Sequence, residues 1–484
     1  MRQAFHIFQK DLRHLWKEIV AYGFLLLVYG VTKPMLWPGS NVDSTMAGAV
    51  MVLQILLPVT FFVLIVRVVQ EERPAGVDQF WVTRPYRWDS LLLAKAIFVV
   101  TCVMIPFVLM QWWLLSRAGL GLLSSPTGMM RCLTMIALDA WLPFVLIGAV
   151  TTTVIEAFLV LIGIIAIWVT VLSTVFRSSD MRMPPPYSFE AMAVLFAGLL
   201  IGVVVYQYSR RQTRRSQVAF GAVAGLFLVL FYGFSGTHLG APIRALIRSH
   251  YPLSRDAGLR LVVLPGPVPY TERKEEMNAS RGLVELKVRV RLEGLNAGYK
   301  LHDTNVSYVI EAAGKRYVSP WQTAILNEDA LSFVVPQEIL TQVDGRKVQL
   351  RMELVGERLR PKTPEVITVN KSFNAPSNGR CVLVGAGLPV CRYAYRVDVP
   401  TRISAPADQG ACEDTRKVGG PVYANLRQLP GGSTVDPVVQ EELQLGKVCP
   451  GSEMTFSEYE PAGRFRLQIE VPAVDLGLLR ARSF

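Results

Sequence analysis

The sequence predicts a mixed membrane and soluble protein: a polytopic α-helical transmembrane domain of about seven spans, followed by a β-rich, sandwich-like domain. Three observations predict it. Hydrophobic residues make up 51% of the 484, and they concentrate in long apolar runs between residues 19 and 235. Residues 259–484 instead alternate apolar with polar side chains and carry frequent Gly, Pro, Asn and Asp. Finally, the net charge is +12, and in the apolar half the basic residues gather in short segments beside and between the apolar runs, as cytoplasmic loops collect Lys and Arg. No recognition-helix or RNA-platform pattern accompanies the charge, so a nucleic-acid partner is excluded.

Residues 1–18 come first. Phe5, Phe8, Leu12, Leu15 and Ile19 recur at helical spacing, with Gln9, Lys10, Arg13 and Lys17 on the other face. An apolar stripe opposite basic residues fits a helix lying in the lipid headgroup region, with membrane lipid as its partner. Lys10, Asp11 and Arg13 would enter hydrocarbon only at high cost. No small-residue cleavage site follows, so the first apolar run is read as a retained anchor.

Residues 19–235 hold seven apolar runs, near 19–36, 46–70, 91–116, 132–153, 157–176, 189–207 and 217–235. A bilayer crossing needs about 20 apolar residues, so the nearly continuous fourth and fifth runs must be split. Thr151, Thr152, Thr153 and Glu156 mark the place of a helical hairpin. With the N-terminus in the cytoplasm, inner segments carry eleven basic residues (Arg2, Lys10, Arg13, Lys17, Arg73, Arg84, Arg87, Arg210, Arg211, Arg214 and Arg215). Outer loops carry four, Arg117, Arg131, Arg177 and Arg182. That bias sets the orientation, and seven spans then leave the C-terminal domain outside the cytoplasm. Asp139 lies inside the fourth run, where a carboxylate marks either a translocation path or a boundary at the interface.

Residues 236–258 read as a linker. From 259 to 484, one or two β-sandwiches are expected. Val284, Leu286, Val288, Val290 and Leu292 alternate with Glu285, Lys287, Arg289, Arg291 and Glu293, the period of a half-buried strand. Ala313-Gly314 and Asp344-Gly345 read as hairpin turns. Cys381, Cys391, Cys412 and Cys449 all fall in this half, where an oxidising compartment favours disulfides. The expected pairs are Cys381–Cys391, across the turn GAGLP, and Cys412–Cys449. The five histidines have no ligand-spaced partners, so no metal site is expected.

Between the second and third runs lies a polar loop, residues 71–90, with Phe80, Trp81, Tyr86 and Trp88 beside Arg84 and Arg87. Such residues anchor a loop at the membrane interface or form a protein docking surface. Glu72, Gly76, Phe80 with Trp81, Thr83 with Pro85, Arg87, Leu91–Leu93 and Lys95 follow one another here. In that order they resemble the cytoplasmic loop of ABC-2-type ABC transporter permeases, and the N-terminal helix resembles that family's elbow helix. The resemblance covers residues 1–235. The chain departs from the pattern in placing Arg84 between Thr83 and Pro85, in its seventh span, and in its β-rich tail. The resemblance implies a non-catalytic export subunit of the cytoplasmic (inner) membrane. There is no GxxxxGK[ST] phosphate loop, so ATP and Mg would belong to a separate ABC ATPase subunit. Glu72, Gly76, Phe80, Trp81, Arg84, Pro85 and Arg87 would couple to that ATPase, and a second permease subunit would complete a homo- or heterodimer. The rival readings are a membrane-anchored extracytoplasmic receptor or sensor without transport, and a membrane-embedded enzyme.

Overall fold

In the computed structural model, the described residues are 1–37, 44–72, 87–121, 126–177, 186–210, 212–235, 259–264, 283–312, 314–395 (apart from 320, 327–329, 377–378 and 386), 401–405, 422–426, 436–443 and 448–479. The helices are α1 (Arg2–His14), α2 (Trp16–Thr32), α3 (Ser44–Gln70), α4 (Trp88–Phe98), α5 (Ile105–Arg117), α6 (Pro126–Ile136), α7 (Leu142–Val150), α8 (Val154–Arg177), α9 (Pro186–Arg210) and α10 (Thr213–Ser235). A short 3-10 turn, Lys33–Leu36, follows α2.

Two wide π turns interrupt otherwise continuous helices: Val99–Met104 joins α4 to α5, and Ala137–Trp141 joins α6 to α7. Pro106 and Pro143 stand second in the α-helices that follow them. A proline lacks the N–H its position would donate and crowds the carbonyl one turn earlier, and a wider turn absorbs both faults. Among the described residues three helical stretches are long and apolar enough to cross a bilayer: Trp16–Leu36, Ala47–Gln70 and Trp88–Arg117. Val154–Thr170 and Val194–Arg210 are apolar but shorter. On this measure the expected seven spans are not reached.

The chain divides into two compact units. The first comprises Met1–Gly163, Ala193–Val223 and Lys362–Tyr459; the second comprises Ile164–Met192, Ala224–Pro361 and Glu460–Phe484. In the first unit, aromatic rings lock the helices together. Tyr22 of α2 meets Phe61 of α3 at 5.1 Å, and Phe61 meets Phe107 of α5 at 5.5 Å. Phe62 lies edge-on to both Phe144 and Phe158. Gly148 lets α7 close on α3, since a Cβ there would stand 3.2 Å from the Cα of Val66. α7 stops at Val150, as the threonines predict. The Glu156 N–H donates to Thr153 Oγ1, and the Thr152 N–H and hydroxyl both donate to the Glu156 carboxylate, capping α8.

α1 departs from the two-faced helix that its spacing predicts. It buries Ala4, Ile7 and Asp11, whereas Phe5 and Leu12 of the expected stripe are exposed. Tertiary packing has created a third face, and that face contains a carboxylate.

The first unit also holds strands β9 (Glu365–Thr368), β10 (Ser372–Ala375), β11 (Gly379–Val384), β12 (Leu388–Ala394), β13 (Thr401–Ala405), β14 (Val422–Leu426) and β15 (Val438–Glu442). β10, β11, β12 and β15 form one sheet in that order. Its apolar side packs Phe373, Tyr393, Met454 and Phe456 around Cys381 and Cys391.

The second unit contains β1 (Arg260–Val263), β2 (Leu283–Glu293), β3 (Lys300–Ala312), β4 (Lys315–Val318), β5 (Gln322–Thr323), β6 (Ile325–Leu326), β7 (Ala330–Pro336), a helix α11 (Gln337–Val343) and β8 (Lys347–Pro361). β16 (Glu453–Asp475) contributes its later residues here. Leu286, Val288 and Val290 of β2 share one core with Tyr308 of β3, Phe333 of β7, Leu350 of β8 and Phe465 of β16. The alternation in β2 therefore reads correctly. Of the expected turn Ala313-Gly314, Gly314 lies between β3 and β4, where Ala312 is opposite Lys315, and Ala313 lies outside the described residues. Asp344-Gly345 does not make a hairpin: it ends α11, which the alternation pattern had hidden, and Gly345 takes a φ of 66° before β8 begins.

Candidate functional site

The most demanding chemistry in the helices lies where loop 71–90 leaves and rejoins them. Lys95 sits one turn before the end of α4, in the run LLLAKAIF. Its side chain is only 3% exposed. A buried ammonium must be compensated, and two carboxylates supply this. Asp11 Oδ2 of α1 lies 2.8 Å from Lys95 Nζ, and Glu72, just after α3, accepts a second hydrogen bond from the same ammonium. Lys10 Nζ, half exposed, donates to the other oxygen of Glu72 at 3.1 Å. One side chain thus joins α1, the first residues of the loop and α4.

More polar contacts surround this cluster. His14 lies 3.5 Å from Glu71, and Arg67 of α3 donates to Glu18 of α2 at 2.5 Å. Two buried oxygens near the centre have no hydrogen-bond partner: Asp11 Oδ1 and the hydroxyl of Tyr208 on α9. Burial pushes the Asp11 carboxyl up to about 6. Lys95 pulls against that shift, while the Glu72 carboxylate adds to it. A few residues away, Gln70 Nε2 donates to the hydroxyl of Thr151 at 2.9 Å and Gln217 Nε2 donates to the Val150 carbonyl at 2.9 Å, so the α7–α8 corner is tied to the end of α3 and the start of α10.

Of the residues expected to couple to a partner, Glu72 is buried in this cluster. Arg87 is exposed and forms a two-pronged pair with Asp89, whose Oδ1 also accepts from the Ser90 N–H at the start of α4. Gly76, Phe80, Trp81, Arg84 and Pro85 lie outside the described residues. Asp139 falls in the π turn Ala137–Trp141, and its side chain lies outside what is described. Cys381 and Cys391 are directly opposed in the β11–β12 register and are joined by a disulfide. Cys449 is disulfide-bonded as well, and Cys412, its expected partner, lies outside the described residues. Among the described residues no group of three or more His, Cys, Asp or Glu side chains is placed to hold a metal ion.

Asp11 and Lys95 were not candidates in the sequence reading, although each carries a signal. Asp11 stands four residues from both Ile7 and Leu15, on the face α1 buries, and Lys95 stands alone in an apolar run. Comparisons of the chain with protein-family models, curated proteins and solved structures give no match.

Proposed function

We propose that the chain is the membrane-spanning permease subunit of an ATP-driven ABC exporter, coupled through loop 71–90 to a separate ATPase. The observation that carries this reading is the ion cluster at the base of the loop. Glu72 on the outgoing strand of the loop and Lys95 on the returning helix share one buried ion pair, and Asp11 fastens both to α1. A loop that merely connects two helices needs no such base. A loop that must transmit a push from a partner does, because a loosely held lever dissipates motion before it reaches the helices.

In this reading the chain makes about seven crossings of the cytoplasmic membrane, the N-terminus is cytoplasmic and the β-sandwich region lies outside. The disulfides are compatible with that outer placement. The partner ATPase carries ATP and Mg, a second permease subunit, identical or related, completes the transporter, and α1 rests in the headgroup region. Phe80, Trp81 and Arg84 would present the docking surface, with Gly76 and Pro85 shaping the loop and Asp139 facing the translocation path.

The test is co-purification in mild detergent followed by ATP-dependent transport in vesicles. Trp81→Ala and Arg87→Glu are expected to weaken ATPase association while leaving the helices folded. If both variants retain the ATPase and its transport at wild-type levels, coupling through this loop is wrong. If no ATPase associates with the wild-type chain at all, a receptor or sensor without transport becomes the better reading.

A further inference from the structure

We propose that Tyr395 is the outer gate of the helix bundle, its phenol closing over the buried Gln111 amide of α5 and, beyond it, the half-buried Cys132 thiol of α6. The inference rests on the transport reading and assigns that function a closing residue at the end of α2 and α5 remote from loop 71–90.

Tyr395 follows the last residue of β12 and has a φ of 57°, in the left-handed region that side chains with a Cβ avoid. Such strain persists only where surrounding contacts enforce it, and it gathers at functional positions. Here the Tyr395 N–H donates to the Pro437 carbonyl at 2.6 Å. The consequence is a change of core. Tyr393 belongs to the cluster around Cys381 and Cys391, whereas Ala394, Tyr395 and Val438 belong to the buried cluster of the helices, with Met110, Leu114 and Leu115 of α5 among its members.

At its tip, the Tyr395 hydroxyl donates to Gln111 Oε1 of α5 at 3.3 Å. Gln111 is 1% exposed, and its Nε2 donates in turn to Cys132 Sγ of α6 at 3.8 Å. A buried amide in an apolar bundle needs its partners. Withdrawing Tyr395 would uncover the amide and admit water toward Cys132. The surrounding attachments are polar and separable: Lys33 pairs with Asp436 at 2.9 Å, and the Arg392 guanidinium lies 4.9 Å from the Trp37 ring centre. Gly119, with a φ of 75°, leaves the space that the Arg380 guanidinium fills at the end of α5. These polar contacts lie beside the apolar packing of Tyr395 rather than replacing it.

Cys132 supplies the readout. In the full-length Cys102→Ser protein it is the remaining described cysteine outside a disulfide. The protein is reconstituted in liposomes, a membrane-impermeant maleimide is applied from either side, and the labelling rate is read by mass shift. Slow labelling is expected in that background. Tyr395→Ala should label about tenfold faster, from the side bearing the disulfides, since it loses both the hydrogen bond and the ring that fills the gap. Tyr395→Phe should fall between the two. Asp436→Lys should also speed labelling, and Lys33→Asp with Asp436→Lys should slow it again, a rescue that a collapsed protein would not give. Unchanged rates in Tyr395→Ala and Asp436→Lys would overturn the gate, as would fast labelling in the Cys102→Ser background or a charge swap that fails to restore slow labelling. The measurement needs neither ATPase nor substrate, so failure of the transport reading would show separately, as absence of an associated ATPase.

Discussion

Replacing Lys95 by Met removes one positive charge while keeping a flexible chain of similar length. Packing changes little, so the effect is electrostatic. Lys95 serves two carboxylates, of which Glu72 keeps Lys10 at 3.1 Å while Asp11 loses its nearest cation. Leaving a buried charge uncompensated costs about 3–5 kcal/mol, and Lys95→Met should reach that range at pH 8. It should cost less at pH 5, and the sign follows from Asp11. Burial already raises that carboxyl from 3.8 to about 6, so the folded protein holds a proton that the unfolded chain releases. Stability from this group is fully present below the unfolded value and is lost as pH rises through the folded one. Losing Lys95 moves the Asp11 carboxyl further in the same direction, and protonation then relieves the variant. Asp11→Asn should behave differently, within about 1 kcal/mol of wild type, because an amide oxygen still accepts from Lys95 and one buried carboxylate is gone. It should also remove Asp11's share of the pH dependence between 3.8 and about 6. The assay is denaturant unfolding in mixed micelles, followed by tryptophan fluorescence at pH 5 and pH 8. Lys95→Met within about 1 kcal/mol of wild type at pH 8, or Asp11→Asn as damaging as Lys95→Met, would refute the assignment of a buried, mutually compensated cluster.

Two further outcomes test packing at separate places. Gly148→Leu should destabilise the helical region by at least about 1–3 kcal/mol through overpacking against Val66 and Val69, read as a lower unfolding midpoint with loss of monodispersity; a fully stable variant would mean α3 and α7 do not approach so closely. Replacing Cys381 and Cys391 together by Ser opens a loop between residues ten apart and should cost about 3 kcal/mol by chain entropy, read from thermal melts with and without reductant; identical melts would show the bond adds nothing.

What the sequence makes legible is local. The α7–α8 corner is written in Thr152, Thr153 and Glu156, because a cap is made by residues within four of one another. Strand β2 is written in its alternation, because one sheet face is wet and the other is not. The Cys381–Cys391 bond is written in a short turn that leaves the two residues opposed. The α11 helix is the instructive local failure: Asp344-Gly345 has turn chemistry, but the same residues end a helix as readily as they join two strands. Hidden from such reading is whatever depends on which helices meet. Lys95 finds Asp11 across 84 positions, and Tyr395 finds Gln111 across 284. Nothing near Tyr395 announces a left-handed tyrosine, since neighbours elsewhere in the fold impose that conformation.

The Asp11–Lys95 pair, once the buried face of α1 is known, follows from a simple electrostatic rule. Lys95 stands in an apolar run, Asp11 lies on the face that α1 buries in the fold, and an interior charge without an opposite one is unstable enough to be excluded. A helix with an acid on its buried face therefore requires a cation on another buried face, and in the run from Leu91 to Phe98 Lys95 is the one cation available. The same reasoning leaves Glu72 as the second carboxylate, because it directly follows α3 and is buried where the chain turns. Compatibility of buried charges thus constrains which helices must touch, and it accounts for the base of loop 71–90 lying against α1.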